Sequence, residues 1–165
     1  MSQMHTDAGL ASLINRISEV IIGCAFRVGN ALGGGFLERV HENALAHELR
    51  KAGLRVDQQV RLAVWYDGVQ VGDYVADVLV ENLVLVEIKA ARAIDDAFKA
   101  QCIHYLAATR LPVCLLLNFS RRVEVKRFVG PGFAHLSHLC TSVTSVASSA
   151  STPMTWAEKA EWDEP

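Results

Sequence analysis

The chain has 165 residues, of which 51% are hydrophobic and 21% charged, so it can form one domain with a buried core but not two. Its net charge is -2, yet residues 131–165 hold one basic and four acidic groups, which leaves 15 basic and 14 acidic in 1–130. Nucleic-acid-binding domains usually carry a basic excess that is missing here. Uninterrupted apolar runs are only strand-sized and no secretory signal pattern is visible, so we expect a soluble, cytoplasmic protein with no membrane span.

Two helices are predicted in the first third of the chain. Between Leu10 and Leu32, apolar residues recur at intervals of three and four, which is typical of a long amphipathic helix. Gly33-Gly34-Gly35 favours its end, because glycine tolerates backbone angles that other residues resist. A second helix is predicted from Phe36 to Ala52.

Three strands are predicted to follow. Alternating and β-branched residues fill Val56 to Tyr66 and Val69 to Val80, on either side of Asp67-Gly68, which is a strong hairpin signal. A second turn at Glu81-Asn82 leads into a strand from Leu83 to Lys89. The residues around this turn are so apolar that we expect both faces of the central strands to be covered.

A third helix and two more strands complete the predicted domain. The helix spans Asp95 to Thr109, and strands follow at Val113 to Leu117 and Val123 to Phe128, which gives the order ααβββαββ. Residues 131–165 are rich in Ser, Thr and Ala, so we predict one domain at 1–130 and an acidic, disordered tail.

The four cysteines are widely scattered and include no close pair of the kind that zinc or iron–sulfur sites need. We therefore expect them to be core thiols. They are Cys24, Cys102, Cys114 and Cys140.

Three charged residues lie on the second and third strands. Glu87 and Lys89 are two apart, so alternation points both to the same face. A two-residue turn would pair Asp77 with Val86, whereas a three-residue turn would pair Asp77 directly with Glu87. Only the second register, or an equivalent bulge, brings the three charged groups together.

Two carboxylates placed this closely repel each other unless a cation lies between them. Oxygen ligands of this kind suit Mg²⁺ or Mn²⁺, and such an ion with Lys89 beside it would favour phosphodiester hydrolysis. The alternative is an ordinary cross-strand ion pair between Asp77 and Lys89.

Two helices contribute further polar pairs. Gln101 and Tyr105 are four apart on the apolar stripe of the third helix, so both face the sheet. Glu38 and His41 are three apart on the second helix and share one side. Each pair alone is more often a satisfied polar group of the core, but together with the strand triplet they can converge at one end of the sheet.

Asp77, Glu87-Ile88-Lys89, Gln101 and Tyr105 resemble the D…ExK…QxxxY arrangement of RecB-like members of the PD-(D/E)XK nuclease superfamily. Four segments between Ile17 and Phe128 are more closely similar to the GxxExxY family. They are Gly35 to His41, Tyr74 to Val80, Val86 to Ala90 and Leu115 to Phe119.

The resemblance implies an α/β fold with a central mixed sheet between helices. It implies that Glu38, Asp77 and Glu87 hold the divalent ion, with the backbone carbonyl of Ile88, and that Lys89 is the catalytic lysine. Gln101 and Tyr105 would contact the phosphate or brace the site. His41 stands where the family has tyrosine, and we expect it to touch phosphate or metal.

Two functions are compatible with the sequence. The first is a Mg²⁺- or Mn²⁺-dependent nuclease, for which we expect DNA rather than RNA as the substrate, although the sequence itself does not distinguish them. The second is a noncatalytic module of the same fold that binds nucleic acid or a protein, with a second copy of the chain as one such partner. The basic residues Arg121, Arg122, Lys126 and Arg127 are either a modest phosphate track or a solvated hairpin edge.

Overall fold

The computed structural model describes residues 2–131 and Phe133, and it contains the expected order of elements. The helices are α1 (Ser2–Leu32), α2 (Glu38–Lys51) and α3 (Asp96–Thr109). The strands are β1 (Val56–Tyr66), β2 (Val69–Val80), β3 (Val84–Lys89), β4 (Val113–Phe119) and β5 (Val123–Val129). The α/β class and the order ααβββαββ are thereby confirmed.

The five strands form one mixed sheet in the order β1-β2-β3-β4-β5. β3 and β4 run parallel, while the other neighbouring strands are antiparallel. α3 makes the crossover between the parallel pair, which a two-residue hairpin cannot do. As a result β3 and β4 end at the same edge of the sheet, which we call the carboxyl edge.

Helices cover both faces of the sheet. α1 and α2 pack on one face, against alternate strand residues such as Val86 and Leu115. α3 packs on the other face, against Leu85 and Leu116. Because β3 and β4 are covered on both sides, their apolar residues are buried without alternation, as the run of apolar sequence predicted.

The length of α1 corrects the expectation that no segment could span a bilayer. Ala8–Leu32 has the length and the composition for a span, with a mean hydropathy of 1.4 in its most apolar window, of which 39% is buried in the structure. Counting uninterrupted apolar runs did not reveal this mean hydropathy, because polar residues interrupt the apolar ones in the helix that the spacing predicted. Its buried residues, including Ile14 and Ile21, belong to the core shared with the sheet.

The connection between α1 and α2 places the start of α2 at the carboxyl edge. A Cβ atom added at Gly34 would lie 2.7 Å from the backbone oxygen of Ser120 in the β4–β5 turn, so a side chain does not fit there. An ion pair between Arg27 and Glu48, at 3.2 Å, also joins the two helices.

Three of the four cysteines are buried and unpaired, so the prediction of core thiols is confirmed for Cys24, Cys102 and Cys114. Cys140 and nearly all of the predicted tail lie outside the described residues. Phe133, beyond the predicted domain boundary, is only 3% exposed and belongs to the core.

Candidate active site

The turn between β2 and β3 has the length that the charged triplet requires. Val80 pairs with Val84, so the loop holds three residues instead of two. Its first two, Glu81-Asn82, adopt left-handed conformations with φ angles of 53° and 54°. The same register, extended by one residue, sets Asp77 opposite Glu87 as in the three-residue alternative, although the paired ladder stops at Val78 and Val86.

Beyond this paired segment β2 and β3 separate. Their ladder ends at Val78 and Val86, whereas β3 continues beside β4 as far as Lys89. Asp77 fills the opening, because its Oδ2 accepts a hydrogen bond of 2.8 Å from the backbone N–H of Ile88. The carboxylate thus takes the position that a backbone acceptor would have in a regular ladder.

Glu87 is buried on the α3 side of β3. Its Oε1 accepts a hydrogen bond of 2.7 Å from Lys89 Nζ, while its Oε2 has no partner within the described part of the chain. Lys89 Nζ also lies 5.1 Å from the centre of the Phe98 ring, within cation–π range. The ion pair of the site is therefore made within β3, rather than between Asp77 and Lys89.

Burial and charge shift the pKa values of all three groups. Burial raises the pKa of Glu87 to about 7, helped by the Asp77 carboxylate and opposed by Lys89. Burial also raises the pKa of Asp77, against the hydrogen bond from Ile88. Burial lowers the pKa of Lys89, but the hydrogen bond and charge of Glu87 outweigh it and the net shift is upward. Near neutral pH Lys89 is an ammonium and Glu87 is partly protonated.

Gln101 and Tyr105 lie together on α3, as their spacing predicted. The amide nitrogen of Gln101 donates to the Tyr105 hydroxyl at 2.5 Å, and that hydroxyl donates to the Val75 carbonyl on β2 at 2.9 Å. Tyr105 is 1% exposed, and burial raises its pKa. Its contacts brace β2 against α3, which favours the bracing alternative over phosphate contact for Tyr105.

The two predicted site residues of α2 are placed very differently. Glu38 is exposed in the first turn, where its Oε1 accepts a 3.4 Å hydrogen bond from the Ala90 backbone. His41 is fully buried, with its ring stacked on Phe119 at 4.4 Å and edge-on to Phe36. That His41 touches phosphate or metal stays a prediction, and in this structure the two aromatic rings cover its imidazole.

Two residues near Asp77 were not predicted from the sequence. Glu42 on α2 is 3% exposed and accepts hydrogen bonds from Gln58 and Gln59 of β1, each at 2.8 Å. Gln59 also donates to Asp77 Oδ1 at 3.4 Å. The sequence signal was the four-residue spacing from Glu38, which placed Glu42 on the same side of α2.

The carboxyl edge also holds a buried amide. Asn118, at the end of β4, is fully buried and makes two hydrogen bonds with the backbone of Ala91, of 2.9 and 3.0 Å. It therefore fixes the segment that follows Lys89.

Comparison with known families finds a family model that matches more than half of the chain. Residues 15–128 match a family model described as the PD-(D/E)XK nuclease superfamily, and the match includes every predicted site residue. The chain belongs to this superfamily. No curated protein matches it. A solved structure described as the crystal structure of SSO0001 aligns with 17% identity and a TM-score of 0.44, over 61% of this chain and 56% of that chain. The chain thus spans little more than half of that protein.

PD-(D/E)XK nucleases generally use divalent metals, and part of the site fits one. Among the side chains that the structure describes, from residue 8 to 131, no three His, Cys, Asp or Glu are grouped closely enough to hold a metal, so Glu38 does not complete a three-carboxylate set. Asp77 and Glu87 nevertheless offer hard oxygens, one of them buried without a partner. Mg²⁺ keeps several waters and is often bound through only one or two carboxylates, which matches this pair.

Proposed function

We propose that this chain is a divalent-metal-dependent nuclease that hydrolyses phosphodiester bonds in nucleic acid, and that it is a GxxExxY member of its superfamily. The observation that supports this most is the meeting of Asp77, Glu87 and Lys89 where β2 and β3 separate. A buried carboxylate oxygen without a partner is costly to keep. Strongly shifted pKa values of this kind are frequent at functional sites.

Asp77 and Glu87 would hold Mg²⁺ or Mn²⁺ together with the carbonyl of Ile88. A divalent ion bound there would polarise a phosphoryl oxygen and lower the pKa of a bound water. Glu38 does not form a three-ligand group with this pair, so its contribution would be electrostatic. Its negative charge raises the pKa values of both other carboxylates.

Lys89 would act as a fixed ammonium that stabilises the negative charge developing on the phosphate. Its raised pKa and its contacts with Glu87 and Phe98 keep it charged and oriented. Gln101 is held by Tyr105 through one of its two amide N–H groups, so the other N–H would be able to donate to a phosphate oxygen.

Cleavage of DNA and RNA by purified protein tests the proposal. We expect degradation that requires Mg²⁺ or Mn²⁺ and that falls by at least about 100-fold in Lys89→Ala, the scale of losing one electrostatic contact to the transition state. Lys99→Ala is the matched control, because Lys99 lies on α3 and pairs with Asp96. Equal activity in wild type and Lys89→Ala would point to a contaminating nuclease and remove the catalytic claim.

A noncatalytic binding module remains the second candidate. The near-neutral charge of residues 1–130 and the ion pair of Lys89 with Glu87 favour it. Thermal unfolding separates the two, because a ligand that binds only the folded state raises the melting temperature. The nuclease requires a shift at millimolar Mn²⁺ that Asp77→Asn abolishes. Nucleic-acid binding without a metal shift or cleavage would support the module instead.

A further inference from the structure

Gln59 interrupts the regular backbone of β1 directly beside Asp77. Its φ angle is 53°, in the left-handed region that residues other than glycine rarely adopt within a strand. Residues on either side pair normally, Gln58 with Val78 and Val60 with Ala76, while Gln59 and Asp77 lie between these pairs. A strained conformation that the surrounding structure maintains is a reason to look for a function.

This interruption changes the direction of the side chains on both strands. With simple alternation Val56 and Val60 would face the same side, but Val56 packs in the core under α1 and α2, and Val60 packs against the α3 side. Ala76 and Val78 are likewise divided between the two cores. Asp77 lies where the side chains of β2 change from one face of the sheet to the other. Its carboxylate therefore points along the sheet towards β3, where it accepts the hydrogen bond from Ile88.

The side chain of Gln59 connects Asp77 to a second, buried carboxylate. The amide nitrogen of Gln59 lies 2.8 Å from Glu42 Oε2 and 3.4 Å from Asp77 Oδ1. The other Glu42 oxygen accepts from Gln58 at 2.8 Å. Glu42 thus holds Gln59 in place, and the amide between them offsets the repulsion of the two carboxylates.

We propose that Gln59, held by Glu42, is a positioning residue for Asp77 as a metal ligand. The two oxygens of Asp77 then have separate partners, Ile88 N–H on Oδ2 and Gln59 on Oδ1. Groups that hydrogen-bond to a ligating carboxylate fix its orientation, and their loss commonly costs about 10- to 100-fold in metal affinity or activity. This inference rests on the proposed nuclease function.

Gln59→Gly isolates the side chain from the backbone. Glycine adopts positive φ without steric cost, so the variant keeps the interrupted strand and loses only the amide. We expect its affinity for Mn²⁺, measured by titration calorimetry, to fall by about tenfold or more. Gln58→Ala is the matched control, since Gln58 contacts Glu42 but not Asp77, and we expect its Mn²⁺ affinity to stay within about threefold of wild type.

Cleavage at rising Mn²⁺ concentration gives an independent readout. A residue that acts through the metal is rescued by more metal, so Gln59→Gly should recover cleavage at high Mn²⁺ while Lys89→Ala should not. A merely structural role would lower the melting temperature of the metal-free variant and leave the Mn²⁺ affinity of the folded protein unchanged. That result would overturn the inference.

Glu42→Gln provides a second variant if Gln59→Gly does not fold. It keeps the volume of the side chain but leaves one carbonyl oxygen for the two donors Gln58 and Gln59. We therefore expect it to weaken Mn²⁺ binding, as Gln59→Gly does. If either variant folds and binds Mn²⁺ with wild-type affinity, the positioning role is contradicted while the nuclease proposal still stands. Absence of both Mn²⁺ binding and cleavage in the wild-type protein contradicts the nuclease proposal and removes this inference with it.

Discussion

Glu87 is the residue whose chemistry depends most on pH, because burial raises its pKa to about 7. A cation binds the carboxylate and not the protonated acid, so below that pKa one proton must leave for each ion bound. We expect Mn²⁺ affinity to fall by about tenfold for each pH unit below 7 and to level off above it. Calorimetric titration at a series of pH values measures this dependence.

Glu87→Gln is the control for this titration. It removes the ionisable group, so any remaining Mn²⁺ affinity should vary much less with pH. Constant affinity of the wild-type protein from pH 6 to pH 8 would show that Glu87 does not lose a proton when the metal binds.

His41 adds a second pH dependence, which acts on the stability of the fold and not on metal binding. Its two ring nitrogens have no partner within residues 2–131, and burial lowers its pKa below 6.5. Below about pH 6.5 the unfolded chain takes up a proton on His41 that the folded chain does not, so stability falls as the pH falls. His41→Phe fits the same aromatic surroundings of Phe36 and Phe119, and it should lose less stability between pH 7.5 and pH 5.

Urea unfolding at both pH values tests His41. The quantity to compare is the change in unfolding free energy with pH, in the wild type and in His41→Phe. An identical change in the two proteins would mean that His41 is protonated in the folded state or that other groups control acid stability.

At the scale of elements, Asn118 extends the β3–β4 pairing with a side chain. Its amide exchanges two hydrogen bonds with Ala91, and Glu124 accepts a third at 3.2 Å. Asn118→Leu has a similar volume but leaves the Ala91 backbone groups unpaired. We expect a loss of about 1–3 kcal/mol in unfolding free energy, the usual cost of burying such groups without partners.

The same variant should also reduce cleavage, because the segment that follows Lys89 would no longer be fixed. Glu124→Gln keeps an oxygen that can accept from Asn118, so its stability should stay closer to wild type. Chemical denaturation of the three proteins provides the comparison. Full stability and activity of Asn118→Leu would show that the strand pairing alone fixes this segment.

The elements were predictable because their signals are local. β1 and β2 were predicted to the residue, since turn residues at Asp67-Gly68 separate two alternating runs. The β2–β3 register was left open because Glu81-Asn82 contains no glycine to indicate left-handed backbone, although both residues adopt it. Whether these two residues adopt left-handed backbone, and so which register forms, depends on the packing of the whole sheet.

The candidate site was predictable as a group of residues but not in its geometry. Alternation placed Glu87 and Lys89 correctly, yet it could not place Asp77, because Gln59 shifts the pattern on two strands at once. Helical spacing puts both His41 and Glu42 beside Glu38, but only His41 was predicted as a site residue. Only the packed structure shows that His41 faces aromatic rings and Glu42 faces β1.

At the scale of the whole molecule, the predicted basic cluster is divided among three places. Arg121 and Arg122 are exposed in the β4–β5 turn at the carboxyl edge, the edge where Lys89 lies. Arg127 instead donates to Asn15 of α1 at 2.7 Å. Lys126 alternates to the other face of β5. A phosphate track built from this cluster would be limited to the turn, because the other two side chains lie on opposite faces of the sheet.

This distribution limits how strongly nucleic acid can be held by charge alone. If Arg39, Lys89, Arg92, Arg121 and Arg122 are the cations available at the carboxyl edge, at most about five phosphates are neutralised, and the logarithm of affinity should fall against the logarithm of salt concentration with a slope no steeper than about -4.5. Fluorescence anisotropy of a labelled DNA duplex with a cleavage-deficient Glu87→Gln protein measures the slope. Joint replacement of Arg121 and Arg122 by alanine should make it shallower by about 2.

Arg55→Ala is the control for this measurement, because Arg55 precedes β1 beside Glu81, at the opposite edge of the sheet. It should leave the slope unchanged. A slope of about -6 or steeper would require more phosphate contacts than the carboxyl edge supplies, and would place the nucleic acid on another surface or across two copies of the chain. Equal effects of Arg55→Ala and the turn variant would contradict binding at the carboxyl edge.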